Sequence, residues 1–348
     1  MNYRGANIRP PCRLGVIEFA LFMSGENLPL IIVNKVAAKA RRAWPLIRAK
    51  LQESAINFAF VETAGPGDAT VEARDALQAG CRTIAVVGGD GTLSEAAEGF
   101  FAFDQEQMEE LPAAINPEAT LAILPAGTGD DFARGLIGYR APLTKWIETF
   151  ISFCKEPGTK NVRLVDLLYG ICDDHTRPFI CLNASTMGIG GETAARVAAQ
   201  GKLMRSLSGE ARFMAAAIGA LAAWRERRVR VSVDENTVIE CLMNLVGVAN
   251  GLFAGGGMML SPKAQIDDGR LDVVTACGLT RAAVIRELPR IHSGGHVANP
   301  KVRITQGTRV RVETFSPEDV LLIEADGNVR GRTPVEFRIM PAALRFVV

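Results

Sequence analysis

The stretch that decides the fold is TIAVVGGDGT, residues 83–92. Residues 83–87 form a short, mostly apolar run that is typical of a buried parallel strand. Gly88 and Gly89 follow at once, and a helical pattern then extends over residues 92–103. A buried strand that passes through a Gly-rich turn into a helix predicts one unit of a doubly wound α/β sheet. Ligands of such sheets bind at the carboxyl ends of the strands.

The same alternation of strand and helix continues on both sides of this stretch. Strand patterns occupy residues 31–33, 56–62 and 119–124. Helical patterns occupy residues 36–53, with an interruption at Pro45, and residues 69–79, 130–137 and 143–154. The first half of the chain is therefore predicted to be an α/β domain with parallel strands.

Beyond Glu156-Pro157-Gly158 the chain becomes rich in short strands. Their patterns lie at residues 161–169, 179–184, 229–233, 238–248, 271–276, 301–305, 309–313, 320–325 and 335–339, with helical patterns at 192–224 and 281–288. Many short strands separated by Gly, Asp and Asn turns are typical of a sandwich or a barrel. We predict an α/β plus β protein, with a doubly wound α/β domain at 29–155 and a domain of short strands, a sandwich or a barrel, at 156–348, whose last strand is free to return to the first. Residues 1–28 would be a leader and a candidate for disorder.

The composition excludes several classes of function. The 348 residues carry a net charge of +1, so global charge does not point to nucleic acid, and we expect no such partner. No apolar stretch reaches the roughly 18 residues that a membrane span needs. The seven cysteines are scattered singly, which we interpret as reduced thiols of a cytosolic protein.

The first Gly-rich turn, residues 88–92, has the features of a phosphate-binding turn. Its glycines let backbone N–H groups approach phosphate oxygens, and the helix that follows favours an anion at its N-terminus. Asp90 would repel a phosphate unless it holds a divalent cation, directly or through water. The alternative is a structural turn in which Asp90 caps a helix.

A second turn of the same kind lies in LPAGTGDDFAR, residues 124–134. It also joins a buried strand to a helix, but Phe132 stands where a dinucleotide-binding fingerprint would have its third glycine. Two such turns on one sheet can flank a single nucleotide. The alternative is a pair of tight turns without a ligand.

Together these segments resemble the catalytic domain of the diacylglycerol kinase, sphingosine kinase and bacterial lipid kinase family. The family patterns are G-G-D-G-T-x-x-E and L-P-x-G-T-x-N-D-F-A-R, and residues 88–95 and 124–134 fill them except at Asp130, where the family usually has Asn. Further segments resemble the family at residues 165–166, 183–188, 248–251, 255–258, 261–264, 267–272, 326–327 and 333–334. The resemblance covers about residues 30–348.

This resemblance implies a phosphofructokinase- and NAD-kinase-like nucleotide-binding domain at 29–155 and a β-sandwich domain at 156–348, with the active site in the cleft between them. It implies ATP and Mg²⁺ as cofactors and a lipid alcohol, first of all diacylglycerol, as substrate. It assigns ATP binding to Asn34, Thr63, Gly88, Gly89, Asp90, Gly91, Thr92, Glu95, Gly127 and Thr128. It assigns an acidic network that organises Mg²⁺ to Asp90, Asp131 and Asp166, the general base to Asp326, and a structural cation site to Gln265, Asp268 and the carbonyl of Arg270.

Three departures from the family patterns bear on activity. The family's N-P-x-S-G after the first strand is replaced by NKVAA, residues 34–38, which lacks both the Pro and the Gly. Asp130 places a carboxylate where the family has an amide. Asn328 stands where the bacterial enzymes have the Glu of D-G-E. These departures keep open a degenerate homologue that binds lipid or nucleotide without catalysis. Another G-G-D-G kinase, such as an NAD kinase, is a further alternative that residues 124–134 and 248–272 oppose.

Local charge is uneven in spite of the neutral total. Residues 35–50 carry six basic side chains and no acidic one, and residues 202–230 carry seven basic side chains against Glu210 and Glu226. The second segment also contains the apolar run 213–224. Basic and apolar segments of this kind are typical of docking on an anionic bilayer, and a solvated helix face is the alternative. We expect a cytoplasmic protein that works at the membrane surface, and homodimer formation is compatible with the sequence.

Overall fold

The computed structural model describes residues 28–104, 108–173, 178–201, 209–235 and 237–348. Its first part is built on four parallel strands in the order β2-β1-β3-β6. They are β1 (Leu30–Val33), β2 (Ala59–Glu62), β3 (Thr83–Gly88) and β6 (Thr120–Pro125). All four residues of β1 are buried, as expected for a strand that is covered on both faces.

Helices cover this sheet between the strands. They are α1 (Ala38–Glu53), α2 (Asp68–Gln78), α3 (Asp90–Glu98), α4 (Asp131–Ile137) and α5 (Leu143–Lys155). The buried residues of α1 recur at helical spacing, Ala40, Trp44, Ile47 and Leu51, and so form one apolar stripe. The expected interruption at Pro45 is wrong: α1 continues through it, and the buried stripe on both sides of Pro45 accounts for this.

The helix predicted over residues 92–103 begins and ends earlier than expected. It spans Asp90–Glu98, and Phe101–Ala102 instead form the short strand β4, which pairs with β5 (Ala113–Ala114). Gly99 ends the helix where α3 meets α2, and a Cβ at Gly99 would lie 2.6 Å from the carbonyl oxygen of Thr70. The close approach of the two helices therefore fixes the end of α3.

The second part is dominated by antiparallel strands. They are β7 (Val162–Cys172), β8 (Phe179–Cys181), β9 (Ala184–Gly188), β10 (Arg227–Val233), β11 (Thr237–Ala249), β12 (Leu271–Cys277), β13 (Val302–Gly307), β14 (Arg309–Thr314), β15 (Leu322–Ala325), β16 (Asn328–Arg332) and β17 (Val335–Val347). Its helices are α6 (Ile189–Ala198), α7 (Gly209–Ala223) and α8 (Arg281–Ile291). The predicted fold class, α/β plus β, is confirmed.

Two predicted elements of this part are divided in the structure. The strand pattern 179–184 belongs to two strands, because the chain breaks between β8 and β9 and turns its amides towards Asp326. The helical pattern 192–224 gives two separate helices, α6 and α7. Strand β16 was not predicted.

The last strand joins the two parts of the molecule. β17 pairs antiparallel with β7 and β14, and its end pairs parallel with β6 through Arg345 and Phe346. The Phe346 ring is fully buried and meets the Phe132 ring of α4 edge to face at 5.0 Å. The start of α4, the helix that follows the second Gly-rich turn, is thereby packed on the C-terminal strand.

The prediction that every cysteine is a reduced thiol is wrong for two of them. Cys241 and Cys277 form a disulfide between the neighbouring strands β11 and β12, with Cα atoms 6.0 Å apart. Sequence spacing did not indicate this pair, because the strand pairing brings together residues 36 apart. Cys12 and most of the predicted leader lie outside the described residues. Within the described ranges, no helix is both long and apolar enough to cross a membrane.

Candidate active site

The first Gly-rich turn is joined to the second by the carboxylate of Asp90. This residue begins α3, and its two oxygens accept hydrogen bonds from the N–H groups of Asp131 at 3.0 Å and Phe132 at 2.9 Å. Those amides belong to the first turn of α4, whose N–H groups have no partner within the helix. Asp90 is therefore a cap, as in the structural alternative, but it caps the helix of the other turn rather than its own.

The two turns also touch through their glycines. A Cβ at Gly127 would lie 2.5 Å from the Gly89 Cα, and a Cβ at Gly89 would lie 2.9 Å from the Gly127 Cα. Real side chains do not tolerate such distances. The turns can approach each other this closely because both positions are glycine.

The structure accommodates Asp130, the first departure from the family pattern within this turn. Its backbone is left-handed, with φ of 51°, a conformation that Asp and Asn adopt more readily than most residues. Its Oδ1 accepts a hydrogen bond from the Gly127 N–H at 2.8 Å. Burial raises the pKa of Asp130, and this amide together with Arg140 and Lys39 opposes the rise. A carboxylate, which can only accept hydrogen bonds, thus binds the Gly127 amide at the position where the family has an Asn side chain.

A loop of the second part, residues 253–257, closes over the second turn. The Gly256 N–H donates to Asp131 Oδ2 at 2.7 Å, and a Cβ at Gly129 would lie 2.8 Å from the Gly256 Cα. The guanidinium of Arg134 lies 4.9 Å from the centre of the Phe253 ring, a cation–π contact. The two parts of the molecule are therefore in direct contact at the turn where the sequence predicts ATP.

Asp326 lies in the turn between β15 and β16. Asp326 and Gly327 both have positive φ, 47° and 86°, and Ala325 pairs with Asn328, so the hairpin has a two-residue type I′ turn. The Asp326 carboxylate accepts hydrogen bonds from three consecutive amides, at 2.7 Å from Leu182, 3.1 Å from Asn183 and 3.3 Å from Ala184. Its orientation is therefore set by the break between β8 and β9.

This hairpin packs on the first Gly-rich turn. A Cβ at Gly91 would lie 3.4 Å from Asn328 Nδ2 and 3.5 Å from the carbonyl oxygen of Asp326. The side-chain Nδ2 of Asn183 donates to the carbonyl of Phe253 at 2.5 Å, so Asn183 links the support of Asp326 to the loop that covers Asp131. Asp326, the two Gly-rich turns and loop 253–257 form one continuous site.

Burial raises the pKa values of Asp90 and Asp131, the two acidic side chains where the turns meet. Burial, with the charge of Asp131 next, raises the pKa of Asp90 to about 7. Burial raises the pKa of Asp131 to about 6, and the Gly256 amide and Arg134 oppose the rise. Asp131 Oδ1 is buried and has no hydrogen-bond partner among the described residues. An unpaired buried oxygen beside a second carboxyl is a donor set that a divalent cation would complete.

The remaining predicted nucleotide positions line or support the first turn. Asn34 Nδ2 donates to Thr92 Oγ1 at 2.8 Å, and Asn34 Oδ1 accepts from the amides of Val36 and Ala37. The turn after β1, residues 34–38, therefore forms although it lacks the Pro and the Gly of the family pattern. Thr63 is buried beside the end of β1. Burial raises the pKa of Glu95, and a hydrogen bond from the Gly67 amide opposes that.

Of the other predicted positions, Asp166 binds backbone amides and four are exposed. Both oxygens of Asp166 accept backbone amides, from Gly269 and Ala342 at 2.7 Å each, so Asp166 ties β7 to two neighbouring segments. Thr128 is exposed, as are the three residues assigned to the structural cation, Gln265, Asp268 and Arg270. Asp268 Oδ1 accepts from the Arg270 amide at 3.0 Å. Among the residues that the structure describes, no three His, Cys, Asp or Glu side chains are grouped to hold a metal.

A cavity of about 290 Å³ lies next to the second turn. Its walls come from α1, the second turn, α4, the segment that links α4 to α5, and α5; Lys39, Arg140 and Trp146 are among the wall residues. It is separate from the Asp326 hairpin, which contributes none of its wall residues. The contacts between the two parts mark the candidate site more clearly than this cavity does.

The raised pKa of Asp131 predicts a pH-dependent loss of stability. Folding strengthens proton binding by this carboxyl, so its contribution to stability is complete below the unfolded pKa near 3.8 and is lost as the pH rises through about 6. Asp131→Asn retains an acceptor for Gly256 but does not titrate. We expect the variant to gain on the order of 2 kcal/mol relative to the wild type between about pH 5 and about pH 8, measured by urea unfolding.

The control for this experiment is Glu110→Gln, which alters an exposed carboxyl. It should follow the wild type at both pH values. An Asp131→Asn protein whose stability changes with pH exactly as the wild type does would contradict the buried, proton-binding state of Asp131.

Comparison with known proteins identifies the family. Residues 29–166 match the diacylglycerol kinase catalytic domain, and residues 187–348 match the YegS C-terminal NAD kinase beta sandwich-like domain. A Pseudomonas aeruginosa protein named "Probable lipid kinase YegS-like" is 28% identical over 93% of this chain and 94% of its own. A Mycobacterium tuberculosis "Diacylglycerol kinase" is 26% identical over 85% and 86%.

The solved structures agree in fold. The crystal structure of a diacylglycerol kinase from Bacillus anthracis covers 92% of this chain and 96% of its own, with a TM-score of 0.64 at 19% identity. The two domain matches follow one another along the chain, and they cover both Gly-rich turns and Asp326. The chain belongs to the family of lipid kinases that combine a diacylglycerol kinase catalytic domain with a YegS-type C-terminal domain.

Proposed function

We propose that the protein is an ATP- and Mg²⁺-dependent lipid kinase that transfers the γ-phosphoryl group to the hydroxyl of a lipid alcohol, with diacylglycerol as the first candidate. The observation that carries the proposal is the packing of the Asp326 hairpin on the first Gly-rich turn at Gly91. The turn of one domain that carries Asp326 thereby lies against the turn at which the other domain would bind phosphate.

The first Gly-rich turn is placed where a polyanion would bind. Residues 88–92 lie at the carboxyl end of β3 and lead into α3, so their N–H groups and the helix N-terminus favour phosphate. Lys39 Nζ and Arg140 donate to the carbonyls of Gly127 and Thr128 and add positive charge beside the second turn. These residues would bind and orient the nucleotide.

The carboxyl pair fits a nucleotide-bound magnesium ion. Mg²⁺ in kinases is held by one or two carboxylates together with phosphate oxygens and water, and it neutralises the charge that develops during transfer. Asp131, with its unpaired Oδ1, would supply a ligand. Asp90 would act mainly through α4, because both of its oxygens already accept amides of that helix.

Asp326 would accept the proton of the lipid hydroxyl. Three amides hold its carboxylate in one orientation: Oδ1 accepts two of them and Oδ2 accepts one, so Oδ2 retains a lone pair for a further hydrogen bond. Phosphoryl transfer depends on alignment and charge neutralisation, so a base that is fixed by the fold is suited to it.

The first prediction is that lipid extracts incubated with the protein and labelled ATP give a phosphorylated lipid. Asp326→Ala should abolish the labelling, because no other group would accept the proton of the hydroxyl. The variant should retain the wild-type rise in melting temperature with Mg²⁺–ATP, since Asp326 lies outside the nucleotide-binding turns. Diacylglycerol and other purified lipid alcohols then identify the substrate.

The outcomes separate this proposal from a non-catalytic homologue. Stabilisation by Mg²⁺–ATP without labelling of any lipid would favour a nucleotide-binding protein that has lost activity. No stabilisation by Mg²⁺–ATP would overturn the kinase assignment. Full labelling by Asp326→Ala would remove this residue from the role of base.

We further propose that the protein works peripherally at the cytoplasmic surface of an anionic membrane. Whether it forms a homodimer is decided by measuring its mass in solution. The outer face of α1 is basic, with Arg41, Arg42 and Arg48 exposed. On α7, Met214 and Ile218 are 44% and 58% exposed. Lys202 and Arg205, which the sequence adds to this segment, lie outside the described residues.

Helix α7 is close to the candidate site. A Cβ at Gly255 would lie 3.2 Å from the Phe213 ring, so the helix touches the loop that covers Asp131. An apolar face at this place would bring a lipid hydroxyl from the bilayer surface towards the cleft.

The corresponding prediction concerns vesicle binding. The protein should sediment with anionic vesicles at low salt and be released at high salt, because surface charge attraction is screened. Met214→Asp with Ile218→Asp should weaken sedimentation at least about tenfold, since two apolar contacts are lost. Leu242→Asp, at a residue 49% exposed on β11, is the control and should bind as the wild type does. Binding that is absent, or that salt does not change, would contradict the docking proposal.

A further inference from the structure

The Asp326 hairpin holds a second carboxyl group that the proposed function does not use. Glu324 lies in β15, two residues before Asp326. Its Oε2 accepts a hydrogen bond from Thr186 Oγ1 at 2.6 Å, and its Oε1 accepts one from the Gly327 N–H at 2.5 Å. One side chain therefore connects strand β9 to the turn that presents the base.

The turn needs such a support because of its geometry. In a two-residue type I′ turn both central residues have positive φ, and Asp326 is a residue with a side chain in that region. The Gly327 N–H belongs to the second central residue and is free for a partner outside the hairpin ladder. Glu324 supplies this partner and so fixes the far side of the turn.

The near side of the turn is fixed by the backbone of β9. The Asp326 N–H donates to the Ala184 carbonyl at 3.1 Å, and Ser185 Oγ donates to the Glu324 carbonyl at 2.6 Å. Glu324 pairs with Thr186 in the register of β15 and β9. The backbone thus places Glu324 opposite Thr186, and the side-chain hydrogen bond follows from that pairing.

Residue 328 does not supply a carboxyl here. Asn328 Nδ2 is buried next to Gly91 and has no hydrogen-bond partner among the described residues.

We propose that Glu324 is a positioning residue for Asp326. Glu324 holds the Gly327 amide and the Thr186 hydroxyl and thereby fixes the turn that carries the base. This inference rests on the proposed function of Asp326.

The ionisation of Glu324 determines the right replacement. Burial, and to a smaller extent the charge of Asp326, raises the pKa of Glu324 to about 7. The protonated acid is therefore well populated near neutral pH, and an amide has nearly the same shape. In Glu324→Gln, the side-chain oxygen still accepts from Gly327 and the NH₂ group can donate to Thr186 Oγ1.

The experiment compares Glu324→Ala with Glu324→Gln by steady-state lipid phosphorylation at near-neutral pH. Glu324→Ala should lower kcat about tenfold and leave the KM for ATP unchanged, because a displaced base affects transfer and not nucleotide binding. Glu324→Gln should remain within about twofold of the wild-type kcat. The control is Glu287→Ala, which removes another buried glutamate whose carboxyl accepts from Asn299 and Arg290 on and near α8; it should keep the wild-type kcat.

Three outcomes would overturn the inference: a wild-type kcat for Glu324→Ala, a loss that Glu324→Gln shares in full, or a raised KM for ATP that accounts for the loss. If Glu324→Ala does not fold, Thr186→Val removes only the hydroxyl contact and should still lower kcat, and a wild-type kcat for that variant overturns the inference instead. A wild-type protein that phosphorylates no lipid would refute the proposed function, whereas an active wild type with an unaffected Glu324→Ala refutes this inference alone.

Discussion

The candidate site depends on the hydrogen bonds between the Asp90 carboxylate and the first two amides of α4. They bring the Gly-rich turn after β3 onto the helix that follows β6, and the glycines at 89 and 127 allow the two backbones to touch. A carboxylate at a helix N-terminus is favourable both as a hydrogen-bond acceptor and as a charge. The same contact places Asp131 beside Asp90, where burial raises the pKa of each.

The second domain completes this arrangement rather than merely lying next to it. Loop 253–257 supplies the amide that Asp131 accepts, and the β15–β16 hairpin brings Asp326 against Gly91. Strand β17 passes back to β6 and packs Phe346 on Phe132 at the start of α4. Each of these contacts comes from a different part of the chain, and all converge on the two Gly-rich turns.

Much of the first domain could be predicted from sequence, because its strands are apolar runs buried on both faces and its turns are marked by glycine. The family and the fold class were also predicted correctly from the motifs. Three features could not be predicted, because each is decided by a tertiary contact. The end of α3 depends on the contact of Gly99 with α2, and the division of residues 179–184 depends on the amides of Leu182 and Asn183 that bind Asp326. The Cys241–Cys277 disulfide depends on the pairing of β11 with β12.

The same limit applies to the site. Sequence motifs marked Asp90, Asp131 and Asp326, whose assigned roles stay predictions. The motifs did not indicate that Asp90 caps the helix of the other turn. The motifs also placed Asp166 in the acidic network, and this role stays a prediction; each of its oxygens accepts one backbone amide, from Gly269 or Ala342. No sequence pattern indicated a role for Glu324, because strand pairing and the turn are what bring its partners Thr186 and Gly327 to it. The roles assigned to Gln265, Asp268 and Arg270 stay predictions.

The central claim is that the two joined turns, Asp131 and Asp326 form one phosphoryl-transfer site. A crystal structure with Mg²⁺ and a non-hydrolysable ATP analogue tests it most directly. The account predicts the phosphates on the amides of residues 88–92, the metal ion at Asp131 Oδ1 and the terminal phosphate facing Asp326. A nucleotide bound away from residues 88–92, with Asp131 Oδ1 still unpaired, would contradict it.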